Sequence, residues 1–347
     1  MRRSEGILIL TLEKVDDKIV GLMKRCLGDN KGMALLLTVV VISLLVVATL
    51  QFGRESRQAI IASVNVKDRG ALKGIARSGI NIAKAVLVKD LEENSYDTLN
   101  DSWNMLGDQH FPSFFLHGML ELTVRDLSGR FQINSLSSNE SSEVFKRLLL
   151  SGNFAVEDES QAIEIIHALI DWIDSDSRQS DFGAEDAYYK SLSKPYGCKN
   201  GSIEFIEELL LVKGVTAELL YGSQEKKGLS EYITVHGSDG KVNINTADAV
   251  VIQALHEDMT EELTAQVMNF RRQKENRDQL SSLEWYRNVS TWPKDMTLDS
   301  GLIGVESRYF QIEATGVKGD LTKRITEVVQ RDAAADDKII FLTRKVD

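Results

Sequence analysis

The stretch MALLLTVVVISLLVVATL, Met33 to Leu50, decides the reading of this chain, because it contains no charged residue. Its 18 residues make an α-helix about 27 Å long, close to the thickness of a bilayer's hydrocarbon core. Lys24, Arg25 and Lys31 lie just before it, and a basic flank stays on the cytoplasmic side. The chain beyond Leu50 is therefore expected on the far side of the membrane. A cleaved secretory signal has a shorter apolar core followed by small residues, and Val47-Ala48-Thr49-Leu50-Gln51 is a poor site of that kind. A plain signal anchor fits the apolar run equally well.

The junction Asn30-Lys31-Gly32-Met33-Ala34 separates the readings. It resembles a prepilin processing site, in which a polar, basic leader ends in Gly directly before the apolar helix. The resemblance implies cleavage by a prepilin peptidase between Gly32 and Met33, methylation of the new N-terminus, and retention of the helix. Residues 1–32 would then be the leader. Met23 offers an internal start with a ten-residue leader, MKRCLGDNKG, so residues 1–22 are expected to be dispensable.

After Leu50 the pattern becomes amphipathic. Basic residues from Arg54 to Lys89 interleave with Leu72, Ile75, Ile82 and Val86, and no proline occurs before Pro112. This predicts a stalk helix that continues the membrane run to residue 93. Leu120–Asp126 alternates, Asp126-Leu127-Ser128-Gly129 reads as a turn, and Arg130–Ile133 alternates again, which predicts a β-hairpin. Tyr309–Thr315 and Ile325–Gln330, around Gly316–Asp320, predict a second hairpin, and Lys338–Leu342 a last strand. Between them, Ser142–Leu150, Gln161–Ile173, Ile203–Leu211, Ala247–Leu255 and Glu261–Lys274 read as helices, with Asn245-Thr246 as the start of the fourth. The expected fold class is α+β: a pilin-like N-terminal helix packed on a small antiparallel sheet, with a large all-α insertion. The expected segments are a leader (1–32), a membrane and stalk helix (33–93), a first part of the sheet (94–134), a helical insertion (135–304) and the last strands (305–347).

Charge and chemistry narrow the function. The net charge is −11, and the first 32 residues carry seven basic and five acidic side chains, so the remainder is near −13. Such a body repels phosphate backbones. Val242-Asn243-Ile244-Asn245-Thr246-Ala247 and Arg271-Arg272 echo helix–hairpin–helix DNA binding, but the link between them, His256–Glu262, is acidic and lacks glycine. No nucleic-acid partner is expected. His110, His117, His167, His236 and His256 have no metal-site spacing, and no catalytic residue is singled out. Removing the leader removes Cys26 and leaves Cys198 as a lone thiol.

Six carboxylates, Asp171, Asp174, Asp176, Asp181, Glu185 and Asp186, fall within sixteen residues around a Ser- and Gly-containing loop. A flexible, all-oxygen set suits Ca²⁺, whereas the twelve-residue EF-hand pattern is absent. A solvated acidic loop after a helix remains an equal reading of the residues alone.

Several segments together resemble the K-type minor pseudopilins of type II secretion, the general secretion pathway protein K family. They are the Gly32-Met33-Ala34-Leu35-Leu36 junction, Asp126–Arg130, Leu169–Asp174, Gly183–Tyr189, Pro195-Tyr196, Glu207–Leu209 and Gly240–Ala247. The resemblance implies a non-enzymatic subunit, single-pass in the inner membrane with its C-terminal domain in the periplasm. It implies a place at the tip of a periplasmic pseudopilus, where the subunit helps initiate assembly for protein export. The implied partners are the I- and J-type minor pseudopilins, the prepilin peptidase and the inner-membrane assembly platform. It also implies bound calcium in the acidic region, with Asp171, Asp174, Asp176, Glu185 and Asp186 as the expected ligands. Ordinary pilins carry Glu at the fifth mature position, where this chain has Leu37 and the K-type family also lacks Glu. Leu37 is therefore read as a marker of the tip. A minor pilin of a type IV pilus is the alternative; it shares the leader and stalk but not the helical insertion.

Overall fold

The computed structural model describes residues 30–108, 115, 118–136, 139–335 and 338–347. The leader residues 1–29, with Met23 and Cys26, lie outside the described residues. The chain divides after Asp68 into two compact units.

Helix α1, Asn30–Glu93, runs 64 residues. From Met33 to Lys67 every residue is exposed. The apolar window within it is long and hydropathic enough to cross a membrane, and none of that window is buried. Its few polar side chains are satisfied internally: Thr38, Ser43 and Thr49 each donate a hydroxyl to the carbonyl three residues earlier, at 2.8–2.9 Å. In hydrocarbon, where water is absent, polar groups need such partners.

From Arg69 onward α1 belongs to the second unit. Leu72, Ile75, Ala76, Ile80, Ala83 and Leu87 are buried at three-to-four spacing. The stripe differs slightly from the expected one: Ile82 and Val86 lie on its flank and are partly buried. Against it packs a four-stranded sheet of order β1-β6-β7-β8, all neighbours antiparallel. The strands are β1 (Met119–Asp126), β6 (Tyr309–Lys318), β7 (Leu321–Arg331) and β8 (Ile339–Val346). Leu120, Leu122 and Val124 from β1, Phe310, Ile312 and Ala314 from β6, and Ile325 and Val329 from β7 face the helix, and Trp103 meets Phe310 edge to face at 5.3 Å.

Helix and sheet are in backbone contact at Gly316, where a Cβ would lie 2.4 Å from the Leu72 carbonyl oxygen. Backbone cannot yield as a flexible side chain does. Gly316→Ala is expected to destabilise the second unit by about 1–3 kcal/mol, the usual cost of overpacking. A melting temperature equal to the parent's would refute that.

The β6–β7 hairpin forms as expected, with longer strands and a two-residue turn, Gly319-Asp320, in which Gly319 takes φ +57°. The last strand also forms. The first hairpin does not. β1 pairs with β6, Leu122 opposite Ala314. Phe131–Gln132 (β2) instead lies parallel to Ile233–Thr234 (β3). The cause is local: Ser128 N donates to Asp126 Oδ1 at 2.7 Å and bends the chain away. Gly129 then seats against Thr246 and Ala247, where a Cβ would meet Thr246 Oγ1 at 2.6 Å.

Between β2 and β6 lie α2 (Asn139–Leu149), α3 (Glu159–Ile173), α4 (Asp186–Ser191), α5 (Ala217–Tyr221), α6 (Ala249–Ala254) and α7 (Glu261–Arg272). Their apolar faces share a core with Phe131, Phe145, Trp172, Trp285 and Tyr286. A short parallel pair, Val242–Asn243 (β4) with Ile303–Gly304 (β5), ties the end of this region back to its middle. Two helix expectations are corrected. Ile203–Leu211 is only a 3₁₀ turn over Ile206–Leu211. The fourth helix starts at Ala249, capped by Asp248 rather than by Thr246, because the Thr246 hydroxyl faces Asp126. Arg271, the residue a DNA reading would place on phosphate, is buried and donates to the carbonyls of Ile244 and Ala247.

Candidate metal centre

Helix α3 delivers the first two carboxylates. Asp158 caps its start by accepting from Gln161 N at 2.9 Å, and Asp174 ends it. Asp171, in its last turn, is fully buried. Its carboxylate accepts from Ser180 N at 3.1 and 3.2 Å and so folds the acidic loop back over the helix. The fit requires glycine at 183, because a Cβ there would lie 2.0 Å from Asp171 Oδ2.

Asp174 and Asp176 each accept from the amide two residues on, at 3.2 and 2.7 Å, so the loop turns twice in succession. This brings oxygens of Asp174, Asp176 and Glu185 within 4.8 Å of one another. Glu185 precedes α4 but does not cap it. It is 4% exposed, and its carboxylate oxygens have no partner in good hydrogen-bond geometry, with only the Cys198 thiol and the Asp186 amide near enough to oppose the effect of burial. Burial pushes Glu185 up from the ordinary carboxylate range, and the nearby Asp171 adds to this. Burial also raises Asp174, against the hydrogen bond it accepts from the Asp176 amide.

The expected ligands are thus divided. Asp174, Asp176 and Glu185 converge. Asp171 stands behind them, holding the loop. Asp186 points elsewhere: its Oδ1 accepts from Cys198 N at 2.9 Å and its Oδ2 from Lys190 Nζ at 2.5 Å. Lys190 and that amide hold Asp186 below the usual range. Asp181 is exposed and outside the group. Asn200 was not expected. Its Nδ2 donates to the Asp176 carbonyl, and its Oδ1 is buried without a partner. It adopts φ +48°, and the Asn200-Gly201 pair was the one available signal. Cys198, beside this loop, is pushed up to about 11 by burial, which leaves an inert thiol.

The convergent carboxylates of Asp174, Asp176 and Glu185 form an all-oxygen set. Such a set fits a hard divalent cation. A second acidic group, Asp90, Asp97 and Asp101, is equally compact but occupied by arginine. Arg331 bridges Asp90 and Asp97 at 2.9 and 2.5 Å, and Arg277 holds Asp101 at 2.9 Å.

Residues 129–224 match a protein-family domain described as type II secretion system (T2SS), protein K, and residues 242–306 match a second domain of that description. The type II secretion system protein K of Aeromonas hydrophila is 29% identical over 341 residues, covering 90% of this chain and 96% of the relative. The chain belongs to the protein K family of type II secretion systems. The family protein of Klebsiella pneumoniae is 25% identical over 62% of this chain and 66% of its own length. The fold recurs in a crystal structure of the GspK-GspI-GspJ complex from enterotoxigenic Escherichia coli. The TM-score there is 0.58 at 20% identity, covering 78% of this chain and 94% of that one. The chain is thus a minor pseudopilin, and the type IV pilus alternative is not favoured.

Proposed function

We propose that this minor pseudopilin is cut between Gly32 and Met33 by a prepilin peptidase, methylated at Met33, and held in the inner membrane by the start of α1. Its folded unit stands in the periplasm, caps the tip of the pseudopilus and helps initiate its assembly on the inner-membrane platform. Its partners are the I- and J-type minor pseudopilins, matching the complex in which its fold recurs. The role is structural rather than enzymatic. The observation that carries this reading is the exposure of the whole apolar run in a helix that continues to Glu93. Intact mass of the membrane-extracted protein tests the processing. A chain beginning at methylated Met33 is expected, and one retaining Lys31 or beginning after Leu50 would overturn it.

Leu37 supports the tip position. A charge in the bilayer interior is costly unless paired. In a pilin, the fifth-position Glu of an incoming subunit neutralises the N-terminal amine of the one ahead. A first subunit has none ahead of it. Leu37→Glu is expected to let the subunit enter the shaft, readable as its distribution along isolated pseudopili. Unchanged assembly order and unchanged secretion would remove the argument.

We also propose that Asp174, Asp176 and Glu185 bind a structural Ca²⁺, with Asn200 supplying a neutral oxygen and Asp171 positioning the loop. The ion satisfies oxygens that the protein leaves without donors and fixes a loop that has no disulfide.

A further inference from the structure

The segment from Cys198 to Ile203 has no regular structure, yet it is pinned from several sides. Cys198 N donates to Asp186 Oδ1 at 2.9 Å, Lys199 Nζ to Glu208 Oε2 at 2.9 Å, and Ile203 N to Asn134 Oδ1 at 2.8 Å. At its centre stands Asn200-Gly201. Of all the asparagines in this chain, Asn200 alone is followed by glycine.

That dipeptide carries a reaction of its own. The backbone nitrogen of the glycine, which no side chain shields, attacks the asparagine Cγ. A C–N bond forms, the Cγ–Nδ2 bond breaks and ammonia leaves, giving a five-membered succinimide. Water then opens the ring at either carbonyl, and the product is aspartate or isoaspartate. Water is the one co-reactant, and nothing is oxidised or reduced.

The attack needs a free glycine nitrogen and a side-chain amide that can turn towards it. The fold ties up both. Gly201 N donates to Trp172 O, in the last turn of α3, at 3.2 Å. Asn200 Nδ2 donates to the Asp176 carbonyl in the acidic loop. Asn200 is held at φ +48°, and both residues are half-buried. Both bonds run from this segment to α3 and the loop that follows it, so lifting the segment away breaks both together.

We infer that Asn200-Gly201 is a latent deamidation site, shut while this segment lies on α3 and the acidic loop and released when it lifts away. The product makes the opening one-way. Aspartate at position 200 has no N–H to give the Asp176 carbonyl, and it adds a negative charge beside a loop that already holds six carboxylates from Asp171 to Asp186. Isoaspartate lengthens the main chain by one carbon and carries Gly201 N off Trp172 O. Either product opposes reclosure, so the dipeptide is a latch that is spent when it is caught open.

The test follows the full-length protein in detergent micelles at mildly alkaline pH. Chelator is present throughout, so the outcome does not depend on the proposed calcium ion. Peptide mass mapping reads deamidation at Asn200 in the folded protein and in urea. The folded protein is expected to react at least about tenfold more slowly than the unfolded chain, since reaction passes only through the locally open fraction. Gly201→Ala separates the chemistry from the fold. Apart from its chain neighbours, an alanine Cβ there meets only the Lys199 carbonyl oxygen, at 3.8 Å, so folding is retained. Its methyl shields the nitrogen and is expected to slow deamidation of the unfolded chain several-fold. Asn200→Asp stands in for the product, and amide hydrogen exchange across residues 174–183 is expected to quicken by at least about tenfold in it. Equal deamidation rates in the folded and unfolded chains, faster reaction at another asparagine in urea, or unchanged exchange in Asn200→Asp would each overturn the inference.

Discussion

Replacing Arg331 by leucine is expected to destabilise the second unit by about 3–5 kcal/mol, the usual cost of stranding one side of a buried ion pair. Arg331 is 6% exposed. It donates to Asp90, to Asp97 and to the Ser307 carbonyl, and its guanidinium lies 4.9 Å from the centre of the Phe310 ring. Without it, two buried carboxylates face each other with no cation in contact. The melting temperature is expected to fall by on the order of 10 °C. Arg331→Leu combined with Asp97→Asn should recover part of that loss, since the second change removes one stranded charge. A loss below about 1 kcal/mol in the single variant would mean that the pair contributes as little as a surface salt bridge does.

The second large effect is at the metal centre. With calcium at a hundredfold excess over its dissociation constant, binding stabilises the fold by about 2.7 kcal/mol. Chelation is accordingly expected to lower the melting temperature by about 5–10 °C. Glu185→Gln should remove that shift. In chelator, however, the same variant should be more stable than the parent, because the parent buries a carboxylate with no donor in good geometry. Opposite signs in the two conditions separate a metal ligand from a merely structural side chain. Both Glu185 and Asp174 are raised in the metal-free fold. Their contribution to that fold is therefore present below the unfolded carboxylate values of about 4 and is lost as pH rises through the folded ones. Calcium competes with those protons, so its affinity should increase with pH across the same window. An affinity that does not change between about pH 4.5 and about pH 7 would count against these ligands.

Features that depend on near neighbours in sequence were legible. The membrane run, the stalk stripe beginning at Leu72 and Ile75, the β6–β7 hairpin and the loop of Asp174 and Asp176 all follow from spacing within a few residues. Features set by distant partners were not. Nothing near Leu120–Asp126 announces that its partner strand begins at Tyr309, and alternation in Arg130–Ile133 offered a closer false partner. Ile203–Leu211 has the composition of a helix, but Ile203 N is taken by Asn134 Oδ1 at 2.8 Å, and the chain there follows the β2 side of the core. Asp186 reads like its neighbours in the acidic cluster. Its diversion depends on Lys190 one helical turn on and on the Cys198 amide, which only the folded loop brings near. Asn200 was invisible beside the acidic loop because its amide nitrogen reaches the Asp176 carbonyl from 24 residues away.

The chain leaves the sheet at Asp126–Ser128 and returns beside that point at Ser307–Tyr309, where Leu127 N donates to Tyr309 O at 2.8 Å. This close approach has a kinetic consequence. β1 precedes β6 in the chain, and its partner lies roughly 190 residues downstream. Joining such distant ends costs chain entropy that grows by about 0.6 kcal/mol per doubling of the intervening length. Once the helical region has condensed on its own core, its two ends emerge side by side, and the distance to be closed shrinks to a few residues. That is about five doublings, or about 3 kcal/mol. Folding should therefore run from the middle of the chain outward: the helices form first, β6 and β7 zip together, and β1 with the stalk joins last. Until then the apolar stripe of α1 has no sheet to cover it, and it is in that interval that the new chain is most exposed to aggregation and proteolysis.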